Sequence, residues 1–318
     1  MFDQAKWVWM DGGMVPWKDA TVHVSSHALH YGTGVFEGIR CYPTADGPAV
    51  FRLDAHVDRL YNSAAAYSIK IPYSKSELTN VICEVIRKNG FENCYIRPIC
   101  YYGSKVLGLV ANHCPLRVAV LAWPWTTMHG GESLETGVRV TVSRWVKFHS
   151  GMVPTTAKAC GQYVNSVLAA QEAVNKGFDD ALLLDDDGNV TEATGENVFI
   201  VKNGEVITND SRHSILMGIT RDATITIARD LGYPVQIRAF QMPEVLAADE
   251  VFMTGTAAEI VVVRTVDDHT VGNGKRGAIT GNIQRVFFDA VYGREPKYRK
   301  WLHLVNAGSA KTAVQAGS

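Results

Sequence analysis

The chain has 318 residues, of which 47% are hydrophobic and 20% are charged, a balance typical of a globular protein with a sizeable core. Its 31 basic and 32 acidic residues give a formal net charge of -1, which provides no single-sign field to attract nucleic acid or an anionic membrane. We therefore expect small-molecule partners, and the length favours two domains.

The chain start carries neither the basic segment nor the apolar segment of a secretion signal, and no apolar stretch is long enough to span a bilayer. Its six cysteines form no C-x-x-C pair and show no zinc-like spacing with histidine. These features predict a cytoplasmic protein with free thiols, without a bound metal and without a membrane segment.

Residues 1–121 alternate short strand patterns with two helix patterns, which predicts a small N-terminal α/β domain. The sequence WVWMDGGMV predicts a hairpin that turns at residues 11–13. Apolar residues at helical spacing predict a first helix over residues 54–69. A capping box predicts the start of a second helix, over residues 74–90, and a glycine predicts its end.

Residues 122–135 combine one proline and two glycines with polar residues, which predicts an interdomain loop. Over residues 136–306 many short strand patterns and fewer helices predict a larger C-terminal domain, a curved sheet with helices packed on it. The final residues, 307–318, are predicted to form a loose tail. The helix patterns of the larger domain lie at 161–176, 220–231 and 280–292.

The sequence GNGKRG at residues 272–277 matches the G-x-G-x-x-G pattern of dinucleotide-binding folds. Such a site needs a buried strand directly before the glycines and an apolar helix directly after them. The flanking segments VDDHT and AITGN provide neither. An ordinary glycine-rich surface loop is the favoured interpretation.

Lys158 lies among small and apolar residues, in TTAKACGQY, just before a helix pattern. Burial there would favour the neutral amine and prepare it to react with an aldehyde cofactor. On composition alone, a lysine that extends from a helix start into solvent is the simpler explanation. The lysine by itself leaves both explanations open.

The segment GNVTEATGENVF contains Glu192 and Glu196 among small residues, so one carboxylate is expected to face the interior. A buried carboxylate needs a cationic partner. The protonated ring nitrogen of pyridoxal phosphate is one such partner, and an ordinary salt bridge is an equally good one.

Two other segments suit a phosphate group. A helix pattern opens at residues 218–220, and a glycine turn at 255–256 follows a strand pattern. Both present backbone N–H groups, and Arg59, which lies near the apolar stripe of its helix but outside it, could supply charge. Thr220 could instead simply cap its helix, a role that does not exclude phosphate binding.

Together these features resemble the branched-chain amino-acid aminotransferases, a family of fold-type IV pyridoxal-phosphate enzymes, and the match runs nearly end to end. Seven segments in family order carry the resemblance: SSHALHYGTGVFEGIRCY, FRLDAHVDRL, YIRP, TTAKACGQYVNS, GNVTEATGENVF, GITRD and DEVFMTGTAAEI. The resemblance implies a smaller N-terminal α/β domain and a larger C-terminal pseudo-barrel domain. It also implies pyridoxal 5'-phosphate as cofactor, and assembly as a homodimer or a dimer-based higher homo-oligomer.

The resemblance further implies individual roles. Lys158 would bind the cofactor covalently and transfer protons during the reaction. Glu192 would pair with the pyridine nitrogen, and Tyr163 would form a hydrogen bond with the ring oxygen. The phosphate would be held by Arg59, Ile219, Thr220 and Thr256.

The implied reaction transfers an amino group between leucine, isoleucine or valine and 2-oxoglutarate by a ping-pong mechanism. One pocket must then accept both an apolar side chain and that of glutamate, which a cation near an apolar wall permits. The implied substrate residues are Tyr95, Thr256 and Ala257 for the α-carboxylate, Tyr31 and Phe36 for the side-chain pocket, and Arg97 for glutamate.

The sequence also departs from the family pattern. Met128 stands where many relatives have a pocket tyrosine, and Leu107 and Leu109 lie in a loop expected to close the substrate site. A more apolar pocket leaves open a D-amino-acid or amine transaminase of the same fold, although EGIRCY favours the branched-chain L-amino acids. An aminodeoxychorismate-lyase-type enzyme would share the lysine and the cofactor but need no amino acceptor.

Overall fold

In a computed structural model, the chain is described over residues 2–126 and 133–306. These residues divide into two compact units, each discontinuous in sequence. The first unit comprises residues 2–126, 157–161 and 289–306, and the second comprises residues 133–156 and 162–288.

The predicted domains, 1–121 and 136–306, are continuous stretches, so their limits differ from those of the compact units. The difference that matters most for function is the short segment 157–161, which carries Lys158 and belongs to the first unit. Residues 127–132 of the predicted interdomain loop lie outside the described part of the chain, as does the predicted tail, 307–318.

The first unit is built on one sheet. Its strands are β1 (Trp7–Met10), β2 (Gly13–Pro16), β3 (Gly34–Phe36), β4 (Ile39–Thr44), β5 (Gly47–Phe51), β6 (Cys94–Tyr102), β7 (Leu116–Pro124) and β17 (Leu302–Leu304). Its helices are α1 (His27–Tyr31), α2 (Leu53–Ala66) and α3 (Lys75–Asn89). Over the described residues the strand order is β17-β5-β4-β6-β7-β1-β2, with β3 paired to β6.

Local sequence explains the main elements of this unit. The predicted hairpin is present because Asp11 and Gly12 take positive φ angles, 48° and 104°, between β1 and β2. Helix α3 begins at the predicted capping box of Ser74 and Glu77 and ends at Gly90, which has a φ of 72°. The buried faces of α2 and α3 share one apolar core with the sheet.

The second unit contains the remaining strands: β8 (Val138–Val142), β9 (Asp180–Leu184), β10 (Val190–Ala193), β11 (Asn197–Lys202), β12 (Glu205–Thr208), β13 (Val235–Ile237), β14 (Glu250–Gly255), β15 (Glu259–Val266) and β16 (His269–Thr270). The helices that begin in this unit are α4 (Ser133–Thr136), α5 (Tyr163–Asn175), α6 (Ile219–Asp230), α7 (Met242–Leu246) and α8 (Ala278–Val291).

The second sheet closes on itself. Its strand order is β10-β9-β8-β15-β14-β11-β12-β13, and an additional pairing joins β10 to β11. The strands from β10 to β11 therefore form a ring, as predicted for a pseudo-barrel domain. An apolar cluster that includes Val140, Leu182, Ile200 and Val261 packs these strands together.

Short connections complete the architecture. Gly272 and Gly274 take positive φ angles of 50° and 72° in the loop before α8, which agrees with a glycine-rich loop at GNGKRG.

None of the helices within residues 2–126 and 133–306 combines the length and the apolar character needed to cross a membrane. The 3-10 helices lie at Trp17–Asp19, Ala111–His113, Cys160–Gln162, Ser211–His213 and Pro296–Trp301.

Candidate active site

The segment that carries Lys158 is fixed by backbone contacts within the first unit. The Phe36 N–H donates to the Lys158 carbonyl oxygen at 3.1 Å, and the Lys158 N–H donates to the Ser63 hydroxyl at 2.9 Å. Val35 and Ala159 form an isolated β-bridge. Lys158 is therefore held against β3 on one side and α2 on the other.

Two glycines allow this segment to approach α1 closely. The Gly161 N–H donates to the Gly32 carbonyl oxygen at 3.1 Å, and Gly32 has a φ of 64°. A Cβ atom on Gly32 would lie 2.6 Å from the Gly161 Cα. Because such a contact is impossible, a larger residue at this position would push the lysine-bearing segment away.

The amine of Lys158 is tuned by its surroundings. Burial of the amine lowers its pKa from 10.5 to about 8; the charge of Arg59 also lowers it, and that of Glu37 opposes the change. The amine lies 5.2 Å from the centre of the Phe36 ring. A lysine with a lowered pKa is partly neutral near neutral pH and can act as a nucleophile. The structure therefore favours a partly buried, reactive lysine over one that extends to solvent.

A buried ion-pair cluster near Lys158 was not predicted from the sequence. The Arg59 Nε and Nη2 atoms donate to the two Glu37 carboxylate oxygens at 2.6 and 2.9 Å, and His56 Nδ1 lies 2.7 Å from Glu37 Oε2. Although burial opposes ionisation, Arg59 and His56 hold the pKa of Glu37 well below its ordinary value. The only sequence signal was an acidic residue inside the apolar run GVFEGI, which needs a partner once buried.

Arg97 contacts two other residues of the predicted substrate site, Phe36 and Tyr95. The Arg97 guanidinium carbon lies 4.6 Å from the Phe36 ring centre and 5.3 Å from the Tyr95 ring centre. Its Nη2 donates to the Tyr95 hydroxyl at 3.2 Å. A Cβ atom on Gly38 would lie 1.8 Å from that hydroxyl oxygen, so a glycine is required beside it. The arrangement combines a cation and an apolar aromatic face near Lys158.

Three other predicted pocket residues are exposed in the first unit. The exposed fraction is 43% for Tyr31, 54% for Leu107 and 87% for Leu109. The Tyr31 ring lies 4.6 Å from the His27 ring, and His27 Nε2 lies 2.6 Å from the carbonyl oxygen of Gly108. His27 thus links α1 to the loop that carries the two leucines.

In the second unit, Glu192 on β10 is buried and has a cationic partner. Its Oε1 lies 2.7 Å from Lys147 Nζ. Its Oε2 accepts the Leu216 N–H at 2.9 Å and the Asn197 side-chain amide at 3.4 Å. The expectation of a cation beside this carboxylate is therefore met by Lys147, which the sequence did not single out.

Glu196 behaves differently from Glu192. Burial and the neighbouring Asp180 carboxylate raise the pKa of Glu196 well above its ordinary value. Asp180 is itself buried, and its Oδ1 accepts the Thr194 hydroxyl at 2.6 Å. Burial and a neighbouring carboxylate therefore disfavour the charged form of Glu196. Of the two glutamates, Glu192 is the one whose carboxylate contacts a cation, Lys147.

The predicted phosphate-binding residues of this unit lie at element ends. Ile219 and Thr220 are the first residues of α6, whose N-cap is Gly218, so Thr220 is not the N-cap residue. A Cβ atom on Gly218 would lie 2.0 Å from Asn197 Oδ1, which places the start of α6 beside the Asn197 contact with Glu192. A helix start of this kind presents unpaired N–H groups suited to phosphate.

The other residues predicted in this unit also lie at element ends. Thr256 and Ala257 lie in the turn between β14 and β15, where they can present backbone N–H groups. Tyr163 is the first residue of α5. Met128 lies outside the described residues.

Comparison with known proteins identifies the class of enzyme. Residues 34–266 match the family model of class IV amino-transferases. The chain belongs to this family, which confirms the predicted aminotransferase activity and fold-type IV architecture.

More specific relatives carry names that agree with the predicted subfamily. The branched-chain-amino-acid aminotransferase of Pseudomonas aeruginosa is 43% identical over 305 residues, covering 96% of this chain and 99% of the relative. The solved structure of a T.th. branched-chain amino acid aminotransferase with pyridoxamine 5'-phosphate is 47% identical, with a TM-score of 0.92 and coverage of 95% of this chain and 99% of that one. Another structure of the T.th. enzyme, complexed with N-(5'-phosphopyridoxyl)-L-glutamate, is 46% identical, with a TM-score of 0.90 and the same coverage of both chains.

Proposed function

We propose that the chain is a pyridoxal-phosphate-dependent transaminase that transfers the amino group of branched-chain L-amino acids to 2-oxoglutarate. The observation that carries the proposal is the Lys158 amine, with a pKa lowered to about 8, held beside the Arg59–Glu37 ion pair. The names of the relatives support the substrate class.

The residues of each unit fit the proposed cofactor. A partly neutral lysine can attach its aldehyde, an arginine and a helix start can receive its phosphate, and a buried carboxylate can receive its ring nitrogen. When bound, pyridoxal phosphate withdraws electrons from the substrate α-carbon. The cofactor-binding residues of this proposal are Lys158, Arg59, Tyr163, Glu192, Ile219, Thr220 and Thr256.

Glu192 contributes an orientation as well as a charge. Its Oε2 is fixed by the Leu216 N–H and the Asn197 amide, so the carboxylate cannot turn freely. In this proposal its other oxygen, which lies 2.7 Å from Lys147, would receive the ring nitrogen of the cofactor. The negative charge of the carboxylate would favour the protonated form of that nitrogen.

Lys158 has two tasks in the proposed reaction. Its amine would hold the cofactor, and when it is free of that bond the neutral amine would accept the proton from the substrate α-carbon and later return it. Both tasks need a neutral amine near neutral pH, which burial and Arg59 promote. The backbone contacts to Phe36 and Ser63 keep the lysine in place while its side chain changes partner.

The proposed substrate pocket explains how two unlike side chains can be accepted in turn. Phe36 and Tyr31 offer aromatic surface to a branched apolar side chain, whereas Arg97, which lies over the Phe36 ring, can pair with the carboxylate of glutamate. Tyr95 and the backbone amides of Thr256 and Ala257 receive the α-carboxylate. The complex of the T.th. enzyme with a phosphopyridoxyl-glutamate conjugate supports glutamate as one of the substrates.

A half-reaction screen tests the substrate class. The absorbance of the cofactor-loaded protein is followed while candidate amino donors are added one at a time. The donors are both enantiomers of valine, isoleucine, leucine, glutamate, phenylalanine and simple chiral amines. The proposal predicts spectral change with the L-forms of the branched amino acids and with L-glutamate. A response limited to D-amino acids or amines would assign the alternative transaminase activity. Product formation that continues beyond one equivalent per cofactor without any added 2-oxo acid would assign a lyase.

The proposal includes a homodimer or a dimer-based higher oligomer in the cytoplasm. Support comes from exposed apolar side chains in the first unit, where Val22, Val24 and Leu29 are 46%, 76% and 61% exposed. Exposed apolar surface of this kind is typical of subunit contacts. Light scattering coupled to size-exclusion chromatography measures the assembly, and a monomeric mass would reject this part of the proposal.

A further inference from the structure

Glu37 is a fully buried carboxylate that neither the proposed chemistry nor the proposed substrate contacts use. We infer that Glu37, supported by His56, is a positioning residue that orients the Arg59 guanidinium for the cofactor phosphate. The inference rests on the proposed function, in which Arg59 holds that phosphate.

The contact between Glu37 and Arg59 fixes a direction as well as a charge. Two parallel N–H groups of Arg59 donate to the two carboxylate oxygens, at 2.6 and 2.9 Å. Such a two-point pair defines the plane of the guanidinium, which a single contact does not. Arginine carries five N–H donors, so this pair is compatible with a further acceptor such as a phosphate.

The carboxylate is itself fixed. Glu37 lies between β3 and β4, and its backbone N–H donates to the Pro98 carbonyl oxygen at 2.9 Å. The Gly38 N–H donates to Glu37 Oε2 at 3.2 Å. A side chain anchored in this way can impose its geometry on Arg59, which is on a different element, α2.

His56 holds the carboxylate without competing for it as a charge. It precedes Arg59 by three residues on α2, and its Nδ1 lies 2.7 Å from Glu37 Oε2. Burial keeps the pKa of His56 below its ordinary value, although Glu37 opposes the change. A neutral imidazole that donates from Nδ1 satisfies one oxygen of Glu37 and leaves Arg59 as its cationic partner.

The inference predicts an effect on phosphate recognition alone. Pyridoxine 5'-phosphate and pyridoxine share one ring, lack the aldehyde that reacts with lysine, and differ only in the phosphate. The ratio of their dissociation constants, measured on protein from which the cofactor has been removed, therefore isolates the phosphate contact. If Glu37 only stabilised the fold, its substitution would weaken the binding of both ligands to a similar extent.

The experiment compares Glu37→Gln, Arg59→Gln and the double variant with the parent protein. Glu37→Gln is expected to raise the dissociation constant of pyridoxine 5'-phosphate by roughly tenfold to a hundredfold, the effect of losing a charge-assisted hydrogen-bonded pair. The dissociation constant of pyridoxine should stay nearly unchanged. The double variant should bind no more weakly than Arg59→Gln, because Glu37 acts through Arg59. Asp58→Asn is the matched control, since it removes a carboxylate from α2 in an exposed pair with Lys75.

Each outcome decides between the possibilities. If Glu37→Gln leaves the ratio of the two dissociation constants unchanged, the inference is overturned. It is also overturned if the losses of phosphate affinity caused by the two single substitutions add up in the double variant. An unchanged ratio in Arg59→Gln would instead reject the proposed role of Arg59 itself. If Glu37→Gln does not fold, Glu37→Asp keeps the charge but shortens the side chain; a weaker phosphate preference then supports the inference, and an unchanged preference overturns it.

Discussion

The lowered pKa of Lys158 gives the most detailed prediction. With a pKa of about 8, roughly 24% of the amine is neutral at about pH 7.5, compared with about 0.1% for an ordinary lysine. In cofactor-free protein, Lys158 should therefore react with acetic anhydride with a midpoint near pH 8. Other lysine peptides from the same digest provide the internal reference.

Two substitutions should move this midpoint in opposite directions. Arg59→Gln removes a positive charge that disfavours the ammonium form, so the midpoint should rise toward the ordinary value. Glu37→Gln removes a negative charge that favours it, so the midpoint should fall. A pH series of brief labelling pulses, read by mass spectrometry of the Lys158 peptide, measures both shifts. A parent midpoint near the ordinary lysine value, or shifts of the same sign, would refute this account of the amine.

Three further substitutions test other parts of the site. Glu192→Gln should lower kcat by orders of magnitude while the cofactor stays bound, because the ring nitrogen loses its charged partner. Steady-state kinetics and cofactor absorbance measure both effects, and an unchanged kcat would exclude Glu192 as that partner. Gly38→Ala should raise KM for the amino acid, because the added Cβ would lie 1.8 Å from the Tyr95 hydroxyl oxygen; an unchanged KM would argue against Tyr95 as a carboxylate contact. Because the folded-state pKa of Glu196 lies above the ordinary 4.5, folding stability should fall as pH rises from the ordinary pKa toward the folded-state pKa. Glu196→Gln should lessen that fall in thermal melts at several pH values, and an identical pH dependence would contradict the raised pKa.

Local sequence signals predicted the elements whose causes are local. The capping box of Ser74 and Glu77 marks the start of α3 because both partners lie within one helical turn. The hairpin at Asp11 and Gly12 was predictable because those residues tolerate positive φ angles. In contrast, the strand patterns alone did not predict that the second sheet closes through the pairing of β10 with β11. Only the family resemblance implied this closure.

The parts of the site that the sequence did not reveal depend on contacts between distant residues. Glu37 pairs with Arg59, 22 positions away, and Glu192 pairs with Lys147 on a separate segment. No period or motif links such residues, because the packing of α2 on the sheet and the course of the second sheet bring them together. Lys158 was found because its small and apolar neighbours made a lysine unusual, but its pKa depends on Arg59 and Glu37, which only the fold places nearby.

The central claim is that the ε-amine of Lys158 carries the cofactor. Borohydride reduction of active, cofactor-loaded protein, followed by proteolysis and mass spectrometry, tests it directly. The account predicts a pyridoxyl phosphate label on the peptide that contains Lys158. Active, loaded protein whose label lies on a different lysine, or which carries no label after reduction, would contradict it.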